Sequence, residues 1–322
     1  MRLALLLLLL APLLGAAQPA VEATIEGRAT LVLRRPLAAA TPIQGFSAVR
    51  VRADGTFWAL ADTGHAARAH REDLQVVFHH VYIDWRAGTA KLLSAHALRD
   101  PDRRLSFPIV NETTSSRVLT TADVNVDAMA VVRDRAWFAD DLGPWLIETD
   151  MHGRVLAAYG AMLDGKPLRS EAARRGFGGL AATRDGRFLY AALEGALWTG
   201  AGWEASGARE YARILEFDLQ ARRWSARELH YALDAPGHTI ADLAMIDARL
   251  ALVVERGPQY RRLYKVLFDG EQARKLAYVE LLAIKMATVE GLELIDPGYA
   301  VLTNADRREF VLLRAPAIVG AP

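Results

Sequence analysis

The chain has 322 residues, 39 Lys and Arg against 38 Asp and Glu, a formal charge of +1, and no cysteine. Balanced charge with no basic block interleaved with aromatics argues against a nucleic-acid partner, and the absence of cysteine excludes a disulfide framework or a lipid-attachment thiol. The mature chain must be stabilised by its core alone, and about 300 residues is ample for that.

The chain opens with MRLALLLLLLAPLLGAAQPA, a short positive start, an apolar run from Leu3 to Leu14, and small residues at Gly15, Ala16 and Ala17. This pattern predicts a cleaved Sec-type signal peptide over residues 1–17, with residues 18–322 as a single domain. The apolar run falls short of the roughly 20 residues that span a bilayer, so the expectation is a periplasmic or secreted monomer without a stable membrane anchor. Ala23 to Leu33 reads as a strand, and Pro36 to Pro42 as an Ala/Pro-rich connection.

From Gly45 onward the chain repeats a phrase: strand, tight turn, strand, with a polar residue at the end of the second strand. The copies are GFSAVRVRADGTFWALADTG from Gly45, VDAMAVVRDRAWFADDLGP from Val126, and GFGGLAATRDGRFLYAALEG from Gly176. They continue with IADLAMIDARLALVVERG from Ile240 and VEGLELIDPGYAVLTNAD from Val289. Asp-Gly pairs at 54–55, 164–165, 185–186 and 269–270 mark turns, because glycine accepts positive φ without steric cost. Between the first two copies, Gln75 to Trp85 (QVVFHHVYIDW) is a further β-rich strand. Gly165 to Gly176 reads as an insertion or short helix, and Thr199 to Glu210 as an excursion between strands.

Strand repeats of this length predict an all-β radial fold, a β-propeller. The long interval between Ser47 and Asp127 leaves room for a weakly marked unit, so six blades are expected. A β-sandwich also uses short antiparallel strands, but it does not predict an acid recurring at the same place in each unit.

Two columns of residues recur. Ser47, Asp127, Gly178, Asp242 and Glu290 begin the phrases; Asp62, Asp140 with Asp141, Glu194, Glu255, and Asn304 with Asp306 end them. In a propeller such positions gather round one axis, where carboxylates repel each other and raise their own pKa values unless a cation compensates. Oxygen-rich clusters suit hard cations, calcium above all. The competing reading is that these acids cap strand ends and bind turn amides.

Other motifs carry less. Asp123, Asn125 and Asp127, with Asp134 at the twelfth position, have the start of a calcium loop, but Ala128 stands where such a loop needs glycine. His79 and His80 leave opposite faces of one strand and cannot clasp one metal. Gly45-Phe46-Ser47 matches only the first half of a nucleophile elbow. The tryptophans, Trp58, Trp137 and Trp198 among them, sit at strand positions and read as blade packing.

The phrases together resemble the phytase-like proteins described as having esterase-like activity of phytase, a family of exported propeller proteins. The resemblance runs through GFGGLAATRDGRFLYAALEGAL with ARILEFDL, FADDLGPWLIETDMHGRVL, LALVVERG, and VEGLELIDPGYAVLTNAD, collinear over roughly residues 40–315. It implies a propeller and metal-dependent ester or phosphoester hydrolysis, with Asp127, Asp140, Asp141, Glu194, Glu255, Glu290 and Asp306 as its acids. The chain departs from the family pattern at Gly178, where glutamate is usual, at Ala128 and Met129, and at Asn304-Ala305-Asp306.

The expected machinery is therefore Asp62, Asp127, Asp141, Glu194, Glu255 and Asp306 as calcium ligands. Glu290 is expected to orient or deprotonate the reacting water, Asp140 is a further catalytic candidate, and Arg175 and Arg256 are expected against the anion of a small ester or phosphoester substrate. A non-catalytic envelope binding propeller and a lactonase-type propeller enzyme are the alternatives.

Overall fold

The computed structural model describes residues 18–33, 42–62, 72–168, 176–286, 288–296, 298–304 and 306–320. The expected signal peptide, most of the Pro36–Pro42 connection and Arg175 lie outside them. The described residues are all-β apart from one short helix, Pro316–Val319.

In chain order the described strands are β1 (Thr24–Leu31); β2 (Gly45–Val51), β3 (Phe57–Asp62), β4 (Val77–Asp84) and β5 (Thr89–Ala97); then β6 (Val126–Val132), β7 (Arg135–Asp140), β8 (Trp145–Asp150) and β9 (Val155–Gly160). A small hairpin, β10 (Met162–Leu163) and β11 (Lys166–Pro167), follows. Next come β12 (Phe177–Ala182), β13 (Phe188–Leu193), β14 (Ala205–Ser206), β15 (Arg209–Asp218) and β16 (Arg223–Ala232). The chain finishes with β17 (Thr239–Met245), β18 (Leu250–Gly257), β19 (Tyr260–Asp269), β20 (Gln272–Glu280), β21 (Leu292–Asp296), β22 (Tyr299–Thr303), β23 (Glu309–Arg314) and α1 (Pro316–Val319).

Pairing sorts these into four-stranded antiparallel units: β2–β5, β6–β9, β12-β13-β15-β16, β17–β20, and β21–β23 completed by β1. The described residues thus form five units, not the six expected from spacing. Gln75–Trp85 supplies the third strand of the first unit (β4), and the stretch up to Asn125 ties the first unit to the second through isolated bridges such as Gln75↔Thr120 and Arg99↔Arg154, packing Leu98, Leu105 and Leu119 into the seam between them. The innermost strands β2, β6, β12, β17 and β21 are neighbours in that cyclic order, and β21 returns to β2. β1 pairs antiparallel with β23 from Thr24↔Arg314 to Thr30↔Glu309, so the start of the described chain supplies the outer strand of the last unit.

The core follows the ring. Each of five apolar clusters fills one seam between neighbouring units: Phe78 and Met129 with Phe138, Trp137 with Phe177 and Leu189, Ile214 with Val253, Leu263 with Val311, and Phe46 with Phe310. At the centre the inner strands approach closely. A Cβ at Gly291 would lie 2.9 Å from Ala48 Cα, and one at Gly179 would lie 3.0 Å from Asp242 Cα. Bare backbone at 179 and 291 is therefore a steric requirement. The Asp-Gly turns behave as expected, with Gly55, Gly165, Gly186 and Gly270 all at positive φ.

Candidate functional site

Four of the inner strands carry a β-bulge near their start, two residues opposing one on the partner strand, and the chain just ahead of β21 does the same. Register slips between Phe46/Ala48, Val126/Ala128, Phe177/Gly179 and Ile240/Asp242, and Thr303 faces both Glu290 and Gly291. A bulge re-aims its extra side chain. The bulged column is Ser47, Asp127, Gly178, Ala241 and Glu290. Asp242, placed in this column by sequence spacing, is one residue further on, in the crowded column of Ala48, Ala128, Gly179 and Gly291.

The second strands show the same one-residue distinction. Phe46 pairs Ala61, Val126 pairs Asp140, Phe177 pairs Leu193 and Ile240 pairs Glu255. The next residues, Asp62, Asp141, Glu194 and Arg256, share the other face, because successive side chains in a strand alternate.

This second face meets the bulged column. Carboxylate oxygens of Asp127, Asp141 and Glu194 all lie within 4.8 Å of one another. Asn125 Nδ2 donates to Asp127 Oδ2 at 3.4 Å and to Asp141 Oδ2 at 3.5 Å, tying the first pair together. Gly176 N–H donates to Asp141 Oδ1 at 2.8 Å. Arg256 donates through Nη2 to Glu194 Oε1 at 3.3 Å and through Nη1 to Glu290, while its Nε holds Thr239 Oγ1 at 3.1 Å. Burial, then the charges of Asp141, Glu194 and Asp62, push the Asp127 carboxyl well above the usual carboxylate range; Arg256 opposes them. Asp62 thus stands close enough to be felt.

Three expected site residues are elsewhere. Asp140 accepts the backbone N–H groups of Asn125, Leu142 and Gly143 at 2.8, 3.1 and 2.9 Å, so it fastens the turn that presents Asp141. Burial raises it to about 6 in spite of those donors. Glu255 is fully buried on the face away from the trio: it accepts from Tyr231 Oη, Asp234 N–H and Lys275 Nζ and pairs with His238 Nδ1. Asp306 is an exposed turn residue whose N–H donates to Asn304 Oδ1 at 2.9 Å. The calcium-loop spacing also fails. Asp134 sits at the far end of β6, paired with Arg135 at 2.5 Å, and Asp123 accepts the N–H groups of Val110 and Thr120.

Gly178 has a physical explanation. A Cβ there would meet the Ile240 carbonyl oxygen at 2.4 Å and Glu194 Cγ at 2.5 Å. The Glu194 side chain runs over the bare backbone of Gly178 to reach the trio. The space a side chain at 178 would need is thus taken by Glu194.

Sequence reasoning missed the plug below this ring. Arg50 reaches across the axis to Asp242, bonding it through both Nη atoms, and also donates to the carbonyls of Leu180 and Leu292 at 2.7 and 2.8 Å. Asp242 in turn accepts Leu243 and Leu292 N–H at 2.8 and 2.9 Å. Burial still raises its pKa, against the opposing charge of Arg50. An Arg and an Asp 192 positions apart offer no local signal of their pairing. Asn125 was legible only as part of the rejected calcium loop.

Fold and site together define a β-propeller with a carboxylate cluster at one mouth of its channel. The chain belongs to the Phytase-like family, described as esterase-like activity of phytase, whose pattern matches residues 41–307. No curated protein matches it. Among solved structures, a glutaminyl cyclase of Myxococcus xanthus is similar in fold, with a TM-score of 0.55 at 9% identity over 92% of this chain and 98% of that one. The Dos1 propeller matches at TM-score 0.41 and 6% identity, covering 86% of this chain and 68% of that chain. Sqt1 of Saccharomyces cerevisiae matches at 0.38 and 10%, covering 81% and 69%.

Proposed function

We propose that the chain is an exported hydrolase of esters or phosphoesters that works with a divalent cation, calcium first, at the acidic mouth. The observation that carries this reading is the convergence of Asp127, Asp141 and Glu194 from two neighbouring units. Three mutually repelling carboxylates are costly without a compensating charge, and an all-oxygen donor set suits a hard cation. Those three residues would hold the ion, with Asp62 beside them. Bound there, it would polarise the carbonyl or phosphoryl oxygen of the substrate.

The chain's own groups account for the rest. Glu290, outside the trio and held by Arg256, accepts the proton of the water that attacks the substrate. As the bond to the leaving alcohol breaks, that proton is passed on to the departing oxygen. Arg256 is already shared between Glu194 and Glu290, which makes it a positioning residue rather than a free anion clamp. The leader-like first 17 residues support export, and N-terminal sequencing of the protein from the culture or periplasm should begin at Gln18.

Hydrolysis of p-nitrophenyl acetate and p-nitrophenyl phosphate, with calcium and with chelator, tests the reading alongside melting temperature against calcium. Inactivity on both esters with no melting shift ends it. A calcium-dependent shift without turnover favours the non-catalytic envelope binding propeller, for which Arg256 speaks, since it already neutralises part of the ring.

A further inference from the structure

The opposite mouth of the channel has the reverse chemistry. The inner strands run from the acidic cluster to a cavity of about 1040 Å³ lined by the turns that end β2, β6 and β12. Six or seven extended residues put roughly 20 Å between the two mouths. Four arginines, Arg50, Arg52, Arg133 and Arg184, line this cavity against a single carboxylate, Glu293.

Those charges are not equivalent. Arg50 lies at the floor, committed to Asp242 and 3.8 Å from Glu293, so its guanidinium is already engaged there. Arg52 lies over the Trp58 ring and pairs with Asp54 at 3.1 Å. Arg133 and Arg184 are exposed turn residues and, among the described residues, neither makes an ion pair. The acids beside them are engaged elsewhere: Asp134 pairs with Arg135, and Asp185 accepts Thr183 Oγ1 and Arg187 N–H. Apolar wall is supplied by Trp58, Met151, Leu294 and Ile295.

We propose that this mouth is a second binding site, separate from the acidic ring, for a small organic anion with an apolar body. Its anionic head sits between Arg133 and Arg184 at the rim, where two guanidinium forks match a carboxylate or phosphonate. Because Arg50 is already engaged at the floor, the head stays at the rim, and the body packs along Trp58 and Ile295. The volume suits a ligand of drug-like size.

Phenylphosphonate, an unhydrolysable anion with an aromatic body, is the probe, titrated calorimetrically without added metal. The wild type should bind it. Arg133→Asn with Arg184→Gln should weaken binding about tenfold or more; asparagine is chosen because residue 133 has φ of 56°, which asparagine tolerates. Arg184→Gln alone should weaken it in the same direction, and Glu194→Gln at the other mouth should leave it unchanged. No binding to the wild type at millimolar probe, unchanged affinity in the Arg184 variant, or loss in the Glu194 variant would each overturn the proposal. None of these outcomes depends on whether the acidic mouth hydrolyses anything.

Discussion

Arg50 and Asp242, on the innermost strands of the first and fourth units, are joined through the centre of the ring by bonds of 3.2–3.3 Å with both side chains buried. Breaking one partner of such a pair strands a buried charge and costs about 3–5 kcal/mol. Asp242→Leu should therefore lower the urea midpoint strongly. Arg50→Met added to it should recover much of the loss, which would separate the pair's cost of burial from its role in packing.

The register of the second strands yields a sharper test of the acidic mouth. Because Glu194 and Asp127 are ligands of the proposed cation, Glu194→Gln and Asp127→Asn should each weaken calcium binding roughly a hundredfold, near 2.7 kcal/mol. Glu255→Gln should leave calcium affinity intact while lowering the melting temperature, because it disturbs Tyr231, His238 and Lys275. Calcium titration followed by calorimetry and melting would detect the opposite ranking.

At Gly178 the prediction runs against the family pattern. Gly178→Ala should destabilise by about 1–3 kcal/mol through overpacking against the Ile240 carbonyl. Gly178→Glu should fail to strengthen calcium binding, since the space is already used by Glu194. A gain in affinity with Gly178→Glu would show that the position is a lost ligand instead.

Glu293 links stability to pH. Burial pushes its carboxyl from the ordinary 4.5 up to about 7, with Arg50 and the Val51 N–H opposing and Asp242 adding to the rise. Below about pH 4.5 folded and unfolded chains both hold this proton, and Glu293→Gln should be nearly neutral. Between 4.5 and 7 only the folded form holds it, so the wild type should lose stability relative to the variant as pH rises. The difference should level off above pH 7 at roughly 3 kcal/mol at most. Urea melts of both proteins at pH 4.5, 6 and 8 measure it; a flat difference would refute the assignment.

The repeated phrases made the propeller legible, because alternating apolar strands and Asp-Gly turns are local signals. Asp127, Asp141 and Glu194 were legible for the same reason, each standing at a marked place in its copy. The distinction between Asp140 and Asp141, or Glu255 and Arg256, was not. A bulge displaces pairing by one residue, and with a period of two that moves a side chain to the opposite face. The number of units among the described residues was not legible, because the outer strands of the first unit carry no phrase of their own. The plug and the arginine mouth were hidden because each assembles residues from several units.

The pairing of β1 with β23 gives the two extremities of the fold a shared fate. Every other unit can complete its sheet from contiguous chain, but the last waits for a partner synthesised long before it. A protein trimmed past Leu31 would carry β23 as a bare edge, ready to recruit a strand from another molecule. Such a truncation should reveal itself through aggregation and strand-swapped dimers rather than through a modest drop in melting point.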